Sequence, residues 1–189
     1  EANCNDVMFF SFYPTKPVGG SDGGIVVSND FEKIKHLKEI SMNGMSYSPN
    51  NWEREIKFPG FKMYMNSIQA HIAQRNLLLL EEKKEKLSNI KVRYNTELGY
   101  NNTSDHLYTI EVKNRDDFLS YMKQNGVCCG IHYHALHKSP VYKKYALKNL
   151  GYKKTIEKST RTVSIPYNES LNENDLTLIL SLIKKWNNI

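Results

Sequence analysis

The segment VMFFSFYPTK at positions 7–16 is followed by four glycines between positions 19 and 24 and then by the run IVV at 25–27. Aromatic and β-branched residues favour strands, whereas proline and glycine mark the turns between them. This order predicts a strand, a loop and a second strand. Lys16 falls within the predicted loop.

The next stretches alternate between helical and loop patterns. Ser28, Asn29 and Asp30 can cap a helix over about residues 31–40, and residues 43–59 are rich in loop formers. From Ser67 to Leu87 the apolar residues recur at helical spacing without Gly or Pro, which predicts one long helix joining two domains.

The C-terminal part predicts an α/β domain. A strand over 107–112, a helix over 116–124 and a strand over 127–133 form a strand, helix, strand unit. A strand near 162–165 and an amphipathic helix over 174–186 follow, and the residues of that helix expected to face the sheet are Leu176, Ile179, Leu180 and Ile183.

Composition restricts the class of protein. The chain has 189 residues, 40% of them hydrophobic, and its formal charge of +6 is scattered without a nucleic-acid-binding motif. It has no apolar run of about 18 residues, and its first residues resemble no signal peptide, so we expect a cytoplasmic protein without a membrane span. Three cysteines, two of them adjacent, argue against a disulfide framework and a zinc site.

Lys16 is the residue with the most definite chemical use. Glycines allow the backbone to approach a bound cofactor, and a partly desolvated lysine has a lowered pKa that favours its nucleophilic neutral form. The alternative is a solvated loop lysine, which describes most lysines of this chain. Spacing alone favours that alternative.

The amino-acid sequence of this loop resembles a known motif. SFYPTK at 11–16 with Gly23-Gly24 is similar to the Schiff-base motif of the DegT/StrS family of nucleotide-sugar aminotransferases, which depend on pyridoxal 5'-phosphate (PLP). The resemblance covers nearly the whole chain, and it continues through GFKMYMNSIQA at 60–70, HLY at 106–108, GIHYHALH at 130–137 and VSIPY at 163–167.

The resemblance implies part of an aspartate-aminotransferase-like α/β fold. Residues 1–66 would form the remainder of the large PLP-binding domain, residues 67–88 a domain-linking helix, and residues 89–189 a small C-terminal α/β domain. Such enzymes work as homodimers with active sites at the subunit interface.

The same resemblance implies the chemistry. Lys16 would carry PLP as an internal aldimine and move a proton when an amino donor such as glutamate reacts, and a nucleotide-linked keto sugar would then accept the amino group in a ping-pong cycle. Dehydratase relatives have histidine in place of the lysine, so Lys16 argues against that activity.

Five further residues acquire expected roles. Ser11 matches a serine that hydrogen-bonds the PLP phosphate, although a strand-end serine satisfied by backbone fits the pattern equally well. Lys62 would pair with the phosphate from a neighbouring subunit, but many relatives have asparagine there and arginine two residues later, where this chain has Tyr64. His132, Tyr133 and His137 would lie near the sugar nucleotide, without a metal.

Family members carry a segment before the lysine that holds the phosphate cradle, a stacking aromatic residue and an acidic partner for the pyridinium nitrogen. Asp6 does not fit the acidic role, because it lies too near Lys16 at the start of the same strand. We therefore expect this polypeptide alone to be a poor catalyst, prone to association through uncovered apolar surface. A longer protein, a split enzyme and a truncated remnant are the three explanations.

Two other classes of function stay open. A noncatalytic assembly module would retain the small domain and linking helix as an interaction surface, and it predicts no PLP absorbance. An anion- or nucleic-acid-binding protein rests only on the basic charge and predicts steeply salt-dependent binding.

Overall fold

The computed structural model describes residues 6–46, 48, 50–147 and 151–187. The chain divides into two compact units, Glu1–Glu81 and Glu82–Ile189. Its strands and α-helices, in chain order, are β1 (Met8–Ser11), β2 (Gly24–Val27), α1 (Phe31–Ser41), α2 (Ser67–Leu78), α3 (Leu80–Leu98), β3 (Tyr108–Glu111), α4 (Arg115–Gln124), α5 (Lys153–Arg161), β4 (Thr162–Ile165) and α6 (Glu173–Asn187).

The first unit begins with the predicted strand, loop and strand. β1 and β2 pair antiparallel, with Met8 opposite Val27 and Ser11 opposite Gly24. Every residue of both strands is exposed, and Phe9 keeps 81% of its surface accessible. Within the described part of the chain, the hairpin therefore leaves its apolar side chains only partly covered.

Local capping explains where the helices of the first unit start. Asp30 accepts a hydrogen bond from the Lys33 amide at 3.0 Å, which fixes the start of α1 at the predicted place. At α2, Asn66 accepts from the Gln69 amide at 2.9 Å and the Gln69 side chain accepts from the Asn66 amide at 3.3 Å. This reciprocal pair is a capping box.

The prediction of one helix over 67–87 is wrong. The chain forms two helices, α2 and α3, separated at Leu79, whose backbone has φ −92° and ψ 2°. A break of this kind interrupts the helical hydrogen bonds for one turn and needs neither Gly nor Pro, so the composition carries no mark of it. The second helix also continues to Leu98, beyond the predicted end.

The second unit contains the main hydrophobic core. β3 and β4 pair antiparallel, with Tyr108 opposite Ile165, and both of these side chains are buried. α6 packs its apolar stripe into this core, as predicted, through Leu176, Ile179, Leu180 and Ile183. Phe118 and Met122 of α4 and Ile90 and Tyr94 of α3 belong to the same cluster.

The prediction of a strand over 127–133 is also wrong. Among the described residues, its backbone pairs with β4 only at Gly130, whose amide donates to the Ser164 carbonyl and whose carbonyl accepts from the Ser164 amide, each at 2.8 Å. A side chain added at Gly130 would lie 2.9 Å from Cε1 of His132, so the chain folds His132 back over Gly130 and leaves the path of a strand. The expected strand, helix, strand unit is replaced by the β3–β4 pair with a single bridge beside it.

α5 was not predicted from the sequence. Its residues KKTIEKSTR include one aliphatic side chain, Ile156, so few apolar positions mark a buried face in the sequence. The residue before the helix, Tyr152, has φ 45°, a conformation that only glycine adopts readily. Sequence signals for a helix start were therefore absent.

The boundary between the two units, after Glu81, falls inside the stretch predicted as a linking helix. The assignment of residues 1–66, 67–88 and 89–189 to a large domain, a linker and a small domain stays a prediction.

Among the described residues, none of the helices combines the length and the apolar character that a bilayer crossing requires. Cys4 lies outside the described residues, and Cys128 and Cys129 are free thiols.

Candidate functional site

The lysine loop, which we define as residues 12–23, is held by three backbone hydrogen bonds. The Phe12 amide donates to the Gly23 carbonyl at 2.9 Å, and the Gly20 amide donates to the Phe12 carbonyl at 2.7 Å. Between them, the Lys16 amide donates to the Tyr13 carbonyl at 2.9 Å and closes a turn at Pro14. The half-buried Lys16 side chain therefore starts from a defined backbone position.

Glycines let the loop sit tightly against its surroundings. A Cβ at Gly19 would approach the Pro14 carbonyl oxygen to 2.7 Å, and one at Gly20 would lie 3.1 Å from the Cβ of Ala73 in α2. The Asn76 side-chain amide of α2 also donates to the Gly19 carbonyl at 2.5 Å. These two glycines permit contact with the protein's own helix, a role that the sequence did not indicate.

Ser11 and Lys62 lie in the same unit as Lys16. Ser11 ends β1 with an exposed side chain, and its Oγ accepts a hydrogen bond from the Tyr13 amide at 3.2 Å. A hydroxyl that accepts one bond still has its proton to donate. Lys62 is exposed, pairs with Met42 through a β-bridge, and has its ammonium 5.8 Å from the centre of the Tyr64 ring.

The second unit contains a separate depression of about 780 Å³, which we call the α5 pocket. One wall is the segment 132–137, which includes all three residues predicted to bind substrate, and the other wall comes from α5. Its lining residues are Thr109, His132, Tyr133, His134, Ala135, Leu136, His137, Tyr152, Lys154, Thr155, Lys158, Ser159 and Thr162.

The three predicted residues have different surroundings in this pocket. His132 places Nδ1 2.8 Å from the Ser164 hydroxyl of β4, which fixes the ring on the sheet. Tyr133 is 68% exposed, with its ring 5.0 Å from that of His132. His137 stacks on Tyr152 at 4.3 Å between ring centres, and its Nε2 is buried without a hydrogen-bond partner among the described residues.

The candidate residues thus form two groups. Lys16, Ser11 and Lys62 belong to the first unit, and His132, Tyr133 and His137 belong to the second. Sequence reasoning missed Lys154 and Lys158 of the α5 pocket because α5 itself was not predicted. Their spacing of four residues was a usable signal, since it places two side chains on one helix face.

Comparison with known proteins identifies the family. Residues 2–184 match the family model of the DegT/DnrJ/EryC1/StrS aminotransferase family. The chain belongs to that family. As a DegT/DnrJ/EryC1/StrS chain, it has the mixed α/β architecture expected from its lysine motif, and aminotransferases of this family are PLP-dependent.

Individual relatives of the DegT/DnrJ/EryC1/StrS family agree with this assignment. The spore coat polysaccharide biosynthesis protein SpsC of Bacillus subtilis is 25% identical over 96% of this chain and 54% of its own length. A DegT DnrJ EryC1 StrS aminotransferase from Brucella abortus is 28% identical, with a TM-score of 0.81 over 95% of this chain and 50% of that one.

A more distant solved structure shows the same fold. Helicobacter pylori PseC, an aminotransferase involved in the biosynthesis of pseudoaminic acid, has a TM-score of 0.84 at 23% identity, over 97% of this chain and 54% of its own. The chain spans about half the length of these relatives.

Proposed function

We propose that this chain contributes the lysine half of a PLP-dependent aminotransferase that transfers an amino group to the keto group of a nucleotide-linked sugar, in amino-sugar biosynthesis. The observation that carries the proposal is that Lys16 lies on a hydrogen-bonded turn in a chain of the DegT/DnrJ/EryC1/StrS family. The biosynthetic roles in the names of SpsC and PseC support a sugar substrate.

The residues of the lysine loop fit the cofactor. Lys16 is half-buried in the lysine loop, and Ser11 has an exposed side chain five residues earlier on the adjoining strand. A primary amine and a phosphate-directed hydroxyl are the groups that PLP requires from this part of a protein. When bound, PLP supplies an electron sink that stabilises negative charge on the α-carbon of an amino donor.

Lys16 would act twice through its Nζ. It first holds the cofactor covalently, and once an amino donor such as glutamate has displaced it, the neutral amine accepts a proton from the α-carbon of that donor. The hydrogen bonds of the lysine loop fix the backbone position of Lys16. A fixed backbone reduces the number of side-chain conformations in which the amine is away from its reactive position.

Ser11 and Lys62 have supporting roles in the proposal. Ser11 Oγ accepts a hydrogen bond from the Tyr13 amide, and its own proton would be available to donate to a phosphate oxygen of PLP. Lys62 adds a positive charge toward the phosphate of a neighbouring subunit in a homodimer with shared active sites, and its exposure supports a contact outside its own chain. His132, Tyr133 and His137, which line the α5 pocket, would contact the sugar nucleotide.

The test is chemical labelling of the 189-residue chain. PLP is added, the visible spectrum is recorded, the adduct is reduced with borohydride, and the modified lysine is identified by mass spectrometry. We expect Lys16 to be the principal labelled site and Lys16→Ala to remove most of the label, because the other lysines lack the lysine loop around them. Lys35→Ala, which removes an exposed lysine of α1, is the matched control and should leave the label unchanged.

The opposite outcome is equally clear. Labelling spread evenly over many lysines, or the same total in Lys16→Ala and in Lys35→Ala, would contradict a cofactor site at Lys16 in this chain. That result would mean that this chain by itself is an incomplete site, and it is also the result that the noncatalytic assembly module predicts.

A further inference from the structure

We propose that Ser164 is a positioning residue for His132. Its hydroxyl donates to Nδ1 and thereby holds the imidazole in the tautomer that carries the ring proton on Nε2. The inference rests on the proposed function for the contact between His132 and the substrate, whereas the tautomer is argued from the second unit alone. Ser164 lies in the segment VSIPY at 163–167, to which the sequence analysis assigned no role in the site.

Ser164 has few possible partners, because it is buried within β4 with 5% of its surface exposed. Its backbone amide and carbonyl both bond Gly130, each at 2.8 Å. Its Oγ lies 2.8 Å from Nδ1 of His132, and this nitrogen is the hydroxyl's one hydrogen-bond partner among the described residues. The side-chain hydroxyl therefore serves the imidazole.

The direction of this hydrogen bond follows from the hydroxyl proton. A neutral imidazole donates from one nitrogen and accepts at the other, whereas a serine hydroxyl can do either. If Nδ1 carried the ring proton and donated it to Oγ, the buried hydroxyl proton would lack an acceptor among the described residues. A buried donor without a partner costs free energy. The favourable arrangement has Ser164 donating to a bare Nδ1, which leaves the ring proton on Nε2.

Gly130 gives the ring room to reach the serine. A Cβ at this position would lie 2.9 Å from Cε1 and 3.4 Å from Nδ1 of His132, so a side chain there would push against the imidazole. The two backbone hydrogen bonds hold Gly130 beside Ser164. The backbone pair therefore sets the place of the ring, and the hydroxyl sets its tautomer.

The tautomer decides what His132 can offer a ligand in the α5 pocket, which it lines. The neutral ring donates from Nε2, and an imidazolium ion is protonated at that nitrogen as well. Nε2 is therefore a donor in both charge states and suits an acceptor oxygen of the substrate. In this arrangement His132 binds and orients the substrate, and the proton transfer is left to Lys16.

The test records the nitrogen NMR signals of the histidine rings in the isotope-labelled 189-residue chain. The spectra are taken at about pH 8.5, two units above the ordinary imidazole pKa of about 6.5. His132→Gln assigns the signals by removing them. We expect a bare Nδ1 and a protonated Nε2 for His132. Ser164→Ala should move the two signals toward each other, because the ring then exchanges between both tautomers.

Ser181→Ala is the matched control, because the Ser181 hydroxyl donates to the Leu178 carbonyl within α6 at 2.8 Å. It should leave the His132 signals unchanged. A protonated Nδ1 in the unsubstituted chain, or identical His132 signals in Ser164→Ala and Ser181→Ala, would overturn the inference. The first of these results needs no variant at position 164, so a folding defect there does not affect it. The spectra need no PLP, so their failure is distinct from a failure to label Lys16.

Discussion

Gly19 decides the position of the lysine without touching any reactant. Its backbone packs so closely on Pro14 that a Cβ would lie 2.7 Å from the Pro14 carbonyl oxygen, a distance at which the backbone must move. The expected effect of Gly19→Ala is a displaced lysine loop, a loss of stability of about 1–3 kcal/mol, and a several-fold lower yield of the Lys16 adduct with PLP.

Thr15→Ala is the control for this change, since it alters an exposed side chain of the same loop. Adduct yield and urea midpoint are measured for both variants. A Gly19→Ala protein that labels as well as Thr15→Ala would mean that the loop tolerates the shift and that its bracing does not matter for the amine.

At the same scale, the candidate site was only partly readable from the sequence. Lys16 stood out because SFYPTK at 11–16 with Gly23-Gly24 resembles the Schiff-base motif of the family, whereas spacing alone favours a solvated loop lysine. Lys154 and Lys158 did not, because their relevance depends on which side chains face them across the pocket. The amino-acid sequence alone does not show which side chains face each other across a pocket.

Among the elements, α6 offers a direct comparison of buried and exposed leucines. Leu180 is 2% exposed in the core, whereas Leu178, two positions earlier, is 45% exposed. Leu180→Ala should lower the free energy of unfolding by about 2–5 kcal/mol, because it removes buried methyl groups and leaves a cavity. Leu178→Ala removes the same atoms and should cost well under half as much.

Urea denaturation of the two variants gives both values. Equal losses would contradict the burial pattern of α6 and with it the packing of the helix on the β3–β4 pair. A larger loss for Leu178→Ala would imply that this face is covered in solution by another molecule.

The elements show which sequence signals are dependable. α6 was predicted with its correct buried face because its apolar spacing extends over four turns. The strand expected at 127–133 failed because His132 turns back onto Ser164, a contact between residues 32 positions apart. The prediction of one unbroken helix over 67–87 failed for a local reason: the break at Leu79 requires neither glycine nor proline, so no residue type marks it in the sequence.

At the scale of the whole molecule, buried tyrosines should limit its stability in alkali. Burial raises the pKa of Tyr108 and of Tyr167 to about 12, above the usual value near 10. The unfolded chain therefore releases these protons first. Their contribution to stability is complete below about pH 10 and is lost as pH rises toward about 12.

Unfolding by urea across this pH range checks the prediction. The midpoint should fall between about pH 10 and 12, and Tyr167→Phe should reduce the fall because it removes one of the ionising groups. Tyr145→Phe, which changes an exposed tyrosine, should follow the unchanged chain. A midpoint that stays constant in alkali would contradict the burial of these hydroxyl groups.

The two units differ in the amount of apolar packing that stabilises them. This difference determines which unit opens first when the protein is heated or exposed to a protease. The large core cluster lies entirely between Ile90 and Ile183, whereas β1 and β2 form a two-stranded hairpin with every residue exposed. Such hairpins open easily in water when nothing covers them. We therefore expect the unit that contains Lys16 to open to proteases and to unfold on heating before the second unit does.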